Sequence, residues 1–149
     1  MKTIKLCDVQ IREDFEQTKP SDKKIKKAEK YIRKFKRIDK PIILNNGVLV
    51  DGYSRYLAAI NKYLYEVPCV ELQEMNYIVG KFDNCDKEYV WKNDKNLDIK
   101  VGDKVFVKTQ NIHKNKIVSL YVTVVDTFQS DSLELYNKHK KVIKKLDNN

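Results

Sequence analysis

The sequence predicts an α+β protein: a mixed α/β first half, a second half of short strands forming a small all-β barrel, and a closing helix. Two observations carry this. Up to about residue 74, short β-like runs alternate with two stretches whose apolar residues recur three and four apart. From Asn76 onward the apolar residues alternate in short runs divided by polar turns. The expected divisions are 1–74, 75–130 and 131–149.

In the first half, Ile4, Leu6 and Val9 read as an opening strand within Thr3 to Val9, followed by a polar loop, Gln10 to Lys19, anchored by Ile11 and Phe15. Ser21 is the expected N-cap of a helix running to about Arg37. Ile25, Ala28, Ile32 and Phe35 share one face of that helix, while Lys23, Lys26, Lys27, Lys30, Arg33, Lys34 and Arg37 lie opposite. Between Lys19 and Lys40 there are 11 basic residues against only Asp22, Glu29 and Asp39. Such a face suits a phosphate backbone, and a solvated helix face is the plain alternative.

Pro41 to Leu44 forms the next strand. Asn46-Gly47 is a tight-turn dipeptide, Val48-Leu49-Val50 a short strand, and helical spacing begins at Ser54 with Leu57, Ile60 and Leu64. Strand, glycine turn and helix start follow one another directly. The N–H groups at such a helix start, with the dipole behind them, favour an anion, and Arg55 in the first turn suits a phosphate or carboxylate. The same residues also suit an ordinary connection, with Asp51 or Ser54 as N-cap and Arg55 solvated or paired with Asp51. Glu66 to Leu72 closes this half as a strand, with Pro68 expected at an edge or strand entry.

In the second half, strands are expected at Tyr77 to Val79, Glu88 to Trp91, Lys104 to Lys108 and Ile117 to Val125, with Gly102 in a turn. A barrel resembling the Src-homology type fits this run. Tyr77, Tyr89, Trp91, Phe106, Tyr121 and Phe128 could stack bases beside Lys81, Lys87, Lys92, Lys104 and Lys108, or fill the core. His113 is expected in a polar loop. Asp131-Ser132 opens the final basic helix, docked by Leu135, Val142 and Leu146, its terminal lysines matching the helix dipole.

The net charge of +9 points to a polyanionic partner. No run approaches the roughly 18 apolar residues of a membrane span, and the first residues lack the apolar stretch of a signal peptide, so a cytoplasmic protein without membrane attachment is expected. Cys7, Cys69 and Cys85 form no Cys-x-x-Cys pair, and neither disulfides nor a metal site are expected.

The strand at Ile4 to Val9, the helix after Pro20, the strand after Lys40-Pro41, the Val-Asp-Gly-Tyr-Ser-Arg-Tyr-Leu-Ala-Ala segment and the Val67-Pro68-Cys-Val-Glu strand together resemble the N-terminal domain of the ParB/sulfiredoxin superfamily. The resemblance covers about half the chain. It implies a nucleotide phosphate site at Gly52, Tyr53, Ser54 and Arg55, taking CTP or ATP with magnesium, with Asp51 as a cap or an indirect metal contact. It also implies nucleic acid as a partner and an origin in a plasmid, phage or other mobile element. Tyr53 stands where sulfiredoxins carry their reactive cysteine, so that chemistry is not expected. The helical Glu-Asn-x-x-Arg segment and helix-turn-helix domain of partition proteins do not follow. Binding is expected rather than catalysis. The alternatives are a small-molecule kinase or phosphohydrolase with Asp51, Glu13, Asp14 or Glu16 as base, and a non-catalytic protein-binding adaptor.

Overall fold

Residues 2–111 and 116–146 are described by a computed structural model. In chain order, its first unit, Met1–Leu72, contains β1 (Thr3–Lys5), α1 (Glu13–Gln17), α2 (Asp22–Phe35), β2 (Ile42–Asn45), β3 (Val48–Asp51), α3 (Tyr53–Asn61) and β4 (Glu66–Glu71). The second, Gln73–Asn149, contains β5 (Asn76–Lys81), β6 (Tyr89–Asn93), β7 (Lys104–Asn111), β8 (Lys116–Gln129), α4 (Leu133–Lys138) and β9 (Val142–Lys145). His113 lies outside the described residues.

Asn46 and Gly47 take positive φ of 52° and 78°, as a primed hairpin turn demands, and so join β2 to β3. The Glu71 carboxylate accepts hydrogen bonds from both turn N–H groups, at 2.7 Å from Asn46 and 3.1 Å from Gly47. The four-stranded sheet runs β1-β4-β2-β3, with β2 and β4 parallel and the outer pairs antiparallel. Ile32 of α2 and Ala58 and Ala59 of α3 are buried with Ile42, Leu44, Leu49, Val67 and Cys69 of the sheet. The two small alanines leave room for α3 to sit close to its neighbours.

Four expectations change here. The opening strand stops at Lys5, because Leu6 and Val9 are both buried three residues apart, a spacing met by the 3-10 turn Leu6–Asp8 and not by alternation. The expected loop contains α1, whose first turn carries Glu13, Asp14 and Glu16 at the favourable end of the dipole. Pro68 lies in an inner strand, tolerated because pairing with β2 begins only at Cys69 and the N–H bonded to Lys2 is that of Cys69. Ser21 caps α2 as expected, accepting from the Lys24 N–H at 3.4 Å, but the helix ends at Phe35, with Lys36 left-handed at φ 60°. Phe35 is 47% exposed and meets Tyr31 on the surface, so the buried stripe is Ile25, Ala28 and Ile32.

The second unit is a five-stranded antiparallel sheet, β6-β5-β8-β7-β9. It curls into a half-barrel whose edges meet where the Lys92 N–H donates to the Lys140 carbonyl at 2.7 Å. Ile78, Trp91, Val105, Val107, Val122, Val124 and Val142 fill its inside. Gly80 has no room for a side chain, since a Cβ there would stand 2.9 Å from Val122 Cγ2. Tyr77 and Trp91 are core residues, not stacking platforms.

The expected helix over 131–149 is corrected. Ser132 caps α4, accepting from the Leu135 N–H at 3.1 Å, but the helix stops at Lys138 and His139 is extended. β-Branched Val142 and Ile143 then suit a strand, and β9 pairs with β7. Lys144 and Lys145 therefore lie on a strand, where they answer no helix dipole. Residues 147–149 lie outside the described residues.

Tyr77 is stacked on Phe128 at 5.2 Å, Tyr136 of α4 lies beneath the Lys92 ammonium at 3.9 Å, and the His139 ring meets Tyr77 edge-on. Burial, with added repulsion from Lys138 and Lys92, holds the His139 pKa below its ordinary value and outweighs a backbone hydrogen bond at Val90. The unfolded chain therefore takes up this proton first as pH falls. The stability tied to His139 is present above about pH 6.5 and declines below it. Urea unfolding followed by the fluorescence of Trp91 should show a lower midpoint at pH 5.5 than at pH 7.5, with a smaller difference in His139→Gln.

Candidate functional site

The site begins where β3 runs into α3. Gly52 takes φ 94°, a left-handed conformation open to glycine, and caps α3. A side chain could not be added easily, because a Cβ would lie 3.2 Å from Ile42 Cγ2 and 3.3 Å from Ile42 Cα. Asp51 folds its carboxylate back onto the Gly52 N–H at 2.8 Å. Neither Asp51 nor Ser54 is the N-cap, and no side chain caps the helix. The N–H groups of Tyr53, Ser54 and Arg55 thus form an uncapped first turn of the kind that suits an anion.

Arg55 is paired with Asp39, not with Asp51. Its Nε donates to Asp39 Oδ1 at 2.7 Å and one terminal nitrogen to Oδ2 at 3.5 Å. The Arg55 hydrogen bond holds the Asp39 carboxyl below the usual carboxylate range, against an opposing effect of burial. Sixteen residues separate the partners, so no local spacing announces the pair.

Helix α2 forms the opposite wall. Lys24, Lys27 and Tyr31 face the turn across a cleft of about 470 Å³, with Asp39 and Asp51 also lining it. That volume lies in the range of small-ligand sites. Lys27 is among the residues expected on a nucleic-acid face, and Lys24 is not among the residues the sequence marks as a site. Lys24, Lys27 and Tyr31 nevertheless stand at i, i+3 and i+7, one helical stripe, and that spacing is the signal that would have found them. Lys23, Lys26, Lys30, Arg33, Lys34 and Arg37 are exposed and do not line the cleft.

The Tyr53 ring lies between Phe15 of α1, at 5.5 Å and 17°, and Tyr56, at 6.2 Å and 22°. This stack ties α1 to the first turn of α3, and burial raises the Tyr56 hydroxyl pKa. Of the other acids expected as candidate bases, Asp14 pairs with Arg12 at 3.1 Å and Glu13 accepts from Gln17 at 3.3 Å. Neither these nor Glu16 lines the cleft, where Asp39 and Asp51 are the carboxylates. Among the described residues, no three His, Cys, Asp or Glu side chains gather as metal ligands, and no helix is long and apolar enough to cross a membrane.

The first unit is therefore an α+β fold with an anion-suited cleft between a basic helix and a glycine turn. The chain matches no protein-family model and no curated protein. A solved Pnob8-like ParB-N domain is similar to it, with 27% identity over 44% of this chain and 26% of that chain and a TM-score of 0.39. This is a distant, partial likeness to a ParB-like fold.

Proposed function

We propose that the first unit binds a nucleoside triphosphate, CTP or ATP with magnesium, its phosphates over Gly52, Tyr53, Ser54 and Arg55. The observation that supports this reading is the approach of Lys24 and Lys27 to the uncapped start of α3 across one cleft. Helix N–H groups and two flexible ammonium groups together favour a multiply charged anion over a single carboxylate. Binding is favoured over turnover, because each carboxylate in the cleft is already engaged, Asp39 by Arg55 and Asp51 by the Gly52 N–H. Calorimetric titration of CTP and ATP with magnesium should give saturable heat and a raised melting temperature. Neither effect at millimolar nucleotide would remove the proposal.

The outward face of α2 supports a second role, contact with a nucleic-acid backbone through Lys23, Lys26, Lys30, Arg33, Lys34 and Arg37, all exposed. Neutralising Lys26, Lys30 and Arg33 should lower the slope of log affinity against log salt by about 2–3 on duplex DNA. An unchanged slope would assign these charges to solubility alone. The curled sheet of the second unit fits a small barrel of the Src-homology type.

A further inference from the structure

In the second unit, α4 covers only part of the outer sheet surface. Over β5 and β6 it buries Tyr77 and Lys92, but a second outward region, on β7, β8 and β9, stays open. Along β7, Val105 and Val107 point into the core, so Lys104, Phe106 and Lys108 point out. Cross-strand register sets Tyr121 of β8 and Lys144 of β9 on either side of Phe106. The Phe106 and Tyr121 rings meet at 4.8 Å, Lys144 Nζ stands 5.5 Å from the Phe106 centroid, and Tyr121 remains 41% exposed.

The charge on this face is one-sided. Lys104, Lys108 and Lys144 are exposed, and among the described residues no ion pair joins them to a carboxylate. The remaining outward positions between them on β8, Ser119 and Thr123, carry no charge. The nearest acid along β7, Asp103, is held by Lys145 at 3.1 Å and by the Lys100 N–H at 2.8 Å.

We infer that this face is a docking surface for single-stranded nucleic acid, with Tyr121, backed by Phe106, stacking an unpaired base and Lys104, Lys108 and Lys144 meeting the flanking phosphates. An exposed ring set among cations gains from a base that is free to leave its own stack, which a duplex does not offer. A purely acidic peptide would satisfy the lysines and leave the ring without a partner.

The test is fluorescence anisotropy of the full chain with labelled oligo(dT), oligo(rU) and a DNA duplex over a series of salt concentrations. The wild type should prefer the single strands. Tyr121→Ala should weaken single-strand binding about ten-fold or more while leaving duplex binding unchanged, and Tyr121→Phe should restore it. Neutralising Lys104, Lys108 and Lys144 to Gln should lower the single-strand salt slope by about 2. Charge removal on α2, by contrast, should weaken single strand and duplex in parallel. An unaltered single-strand to duplex ratio in Tyr121→Ala, with circular dichroism matching the wild type, would overturn the inference. So would competition by polyglutamate as effective as that by oligo(dT).

Discussion

Gly52→Val is expected to destabilise the first unit by about 2–5 kcal/mol and to abolish nucleotide binding. Two costs combine there. A β-branched residue is strained at φ 94°, and its Cβ would press on Ile42 at 3.2–3.3 Å, against the strand backbone as well as the side chain. Gly47 separates the two. It has φ 78°, yet a Cβ there would meet nothing within 4 Å. Gly47→Val should therefore show the backbone cost with little of the contact cost. Urea unfolding of both variants, followed by circular dichroism, measures the difference. Equal losses would mean that the close approach of Gly52 to β2 is not what fixes the turn.

That close approach separates what the sequence made legible from what it hid. Signals confined to a few neighbouring residues are readable: the Asn46-Gly47 hairpin, the Ser21 cap, the stripe of Ile25, Ala28 and Ile32, and the strand-turn-helix succession of β3 and α3. Each is set by local φ preference, a side-chain bond three residues away, or helical periodicity. Contacts between distant segments were not. Glu71 reaches the hairpin turn from 24 and 25 residues away, and Asp39 reaches Arg55 from 16. Sequence spacing holds no record of such pairs. At the chain's end the lysines matched a helix terminus, but His139 interrupts the helix and the β-branched pair after it finds a partner in β7. Tertiary pairing there overrides a plausible local pattern. Lys24 was lost differently. The cleft-facing stripe borders the outward basic face of α2, so helical periodicity alone groups its lysines with the outward charges.

That stripe carries the second large effect. Lys24→Ala and Lys27→Ala should each weaken triphosphate binding about ten-fold, and Asp39→Asn should act in the opposite direction. A charge pair about 4 Å apart near a protein surface interacts by up to about 4 kcal/mol, reduced by solvent and salt for groups as open as these. Asp39 brings a negative charge into the cleft and occupies the Arg55 guanidinium through both of its oxygens. Removing that charge frees the fork for phosphate, so Asp39→Asn should bind several-fold tighter. The stability cost should be small, within about 1 kcal/mol, because the Arg55 and Asp39 side chains are 26% and 38% exposed.

The depressed Asp39 pKa gives this prediction a pH signature. The stabilisation from the pair is fully present above the ordinary carboxylate pKa and is lost only as pH falls through the lower folded value. The affinity difference between wild type and Asp39→Asn should thus be constant from about pH 5 to 8 and shrink only in more acidic solution, where the wild-type carboxylate takes its proton. Calorimetry across that range separates the outcomes. Weaker binding by Asp39→Asn together with both lysine variants would make Asp39 the residue that positions Arg55, not its competitor. Unchanged binding in Lys24→Ala and Lys27→Ala would remove the cleft from consideration as the phosphate site.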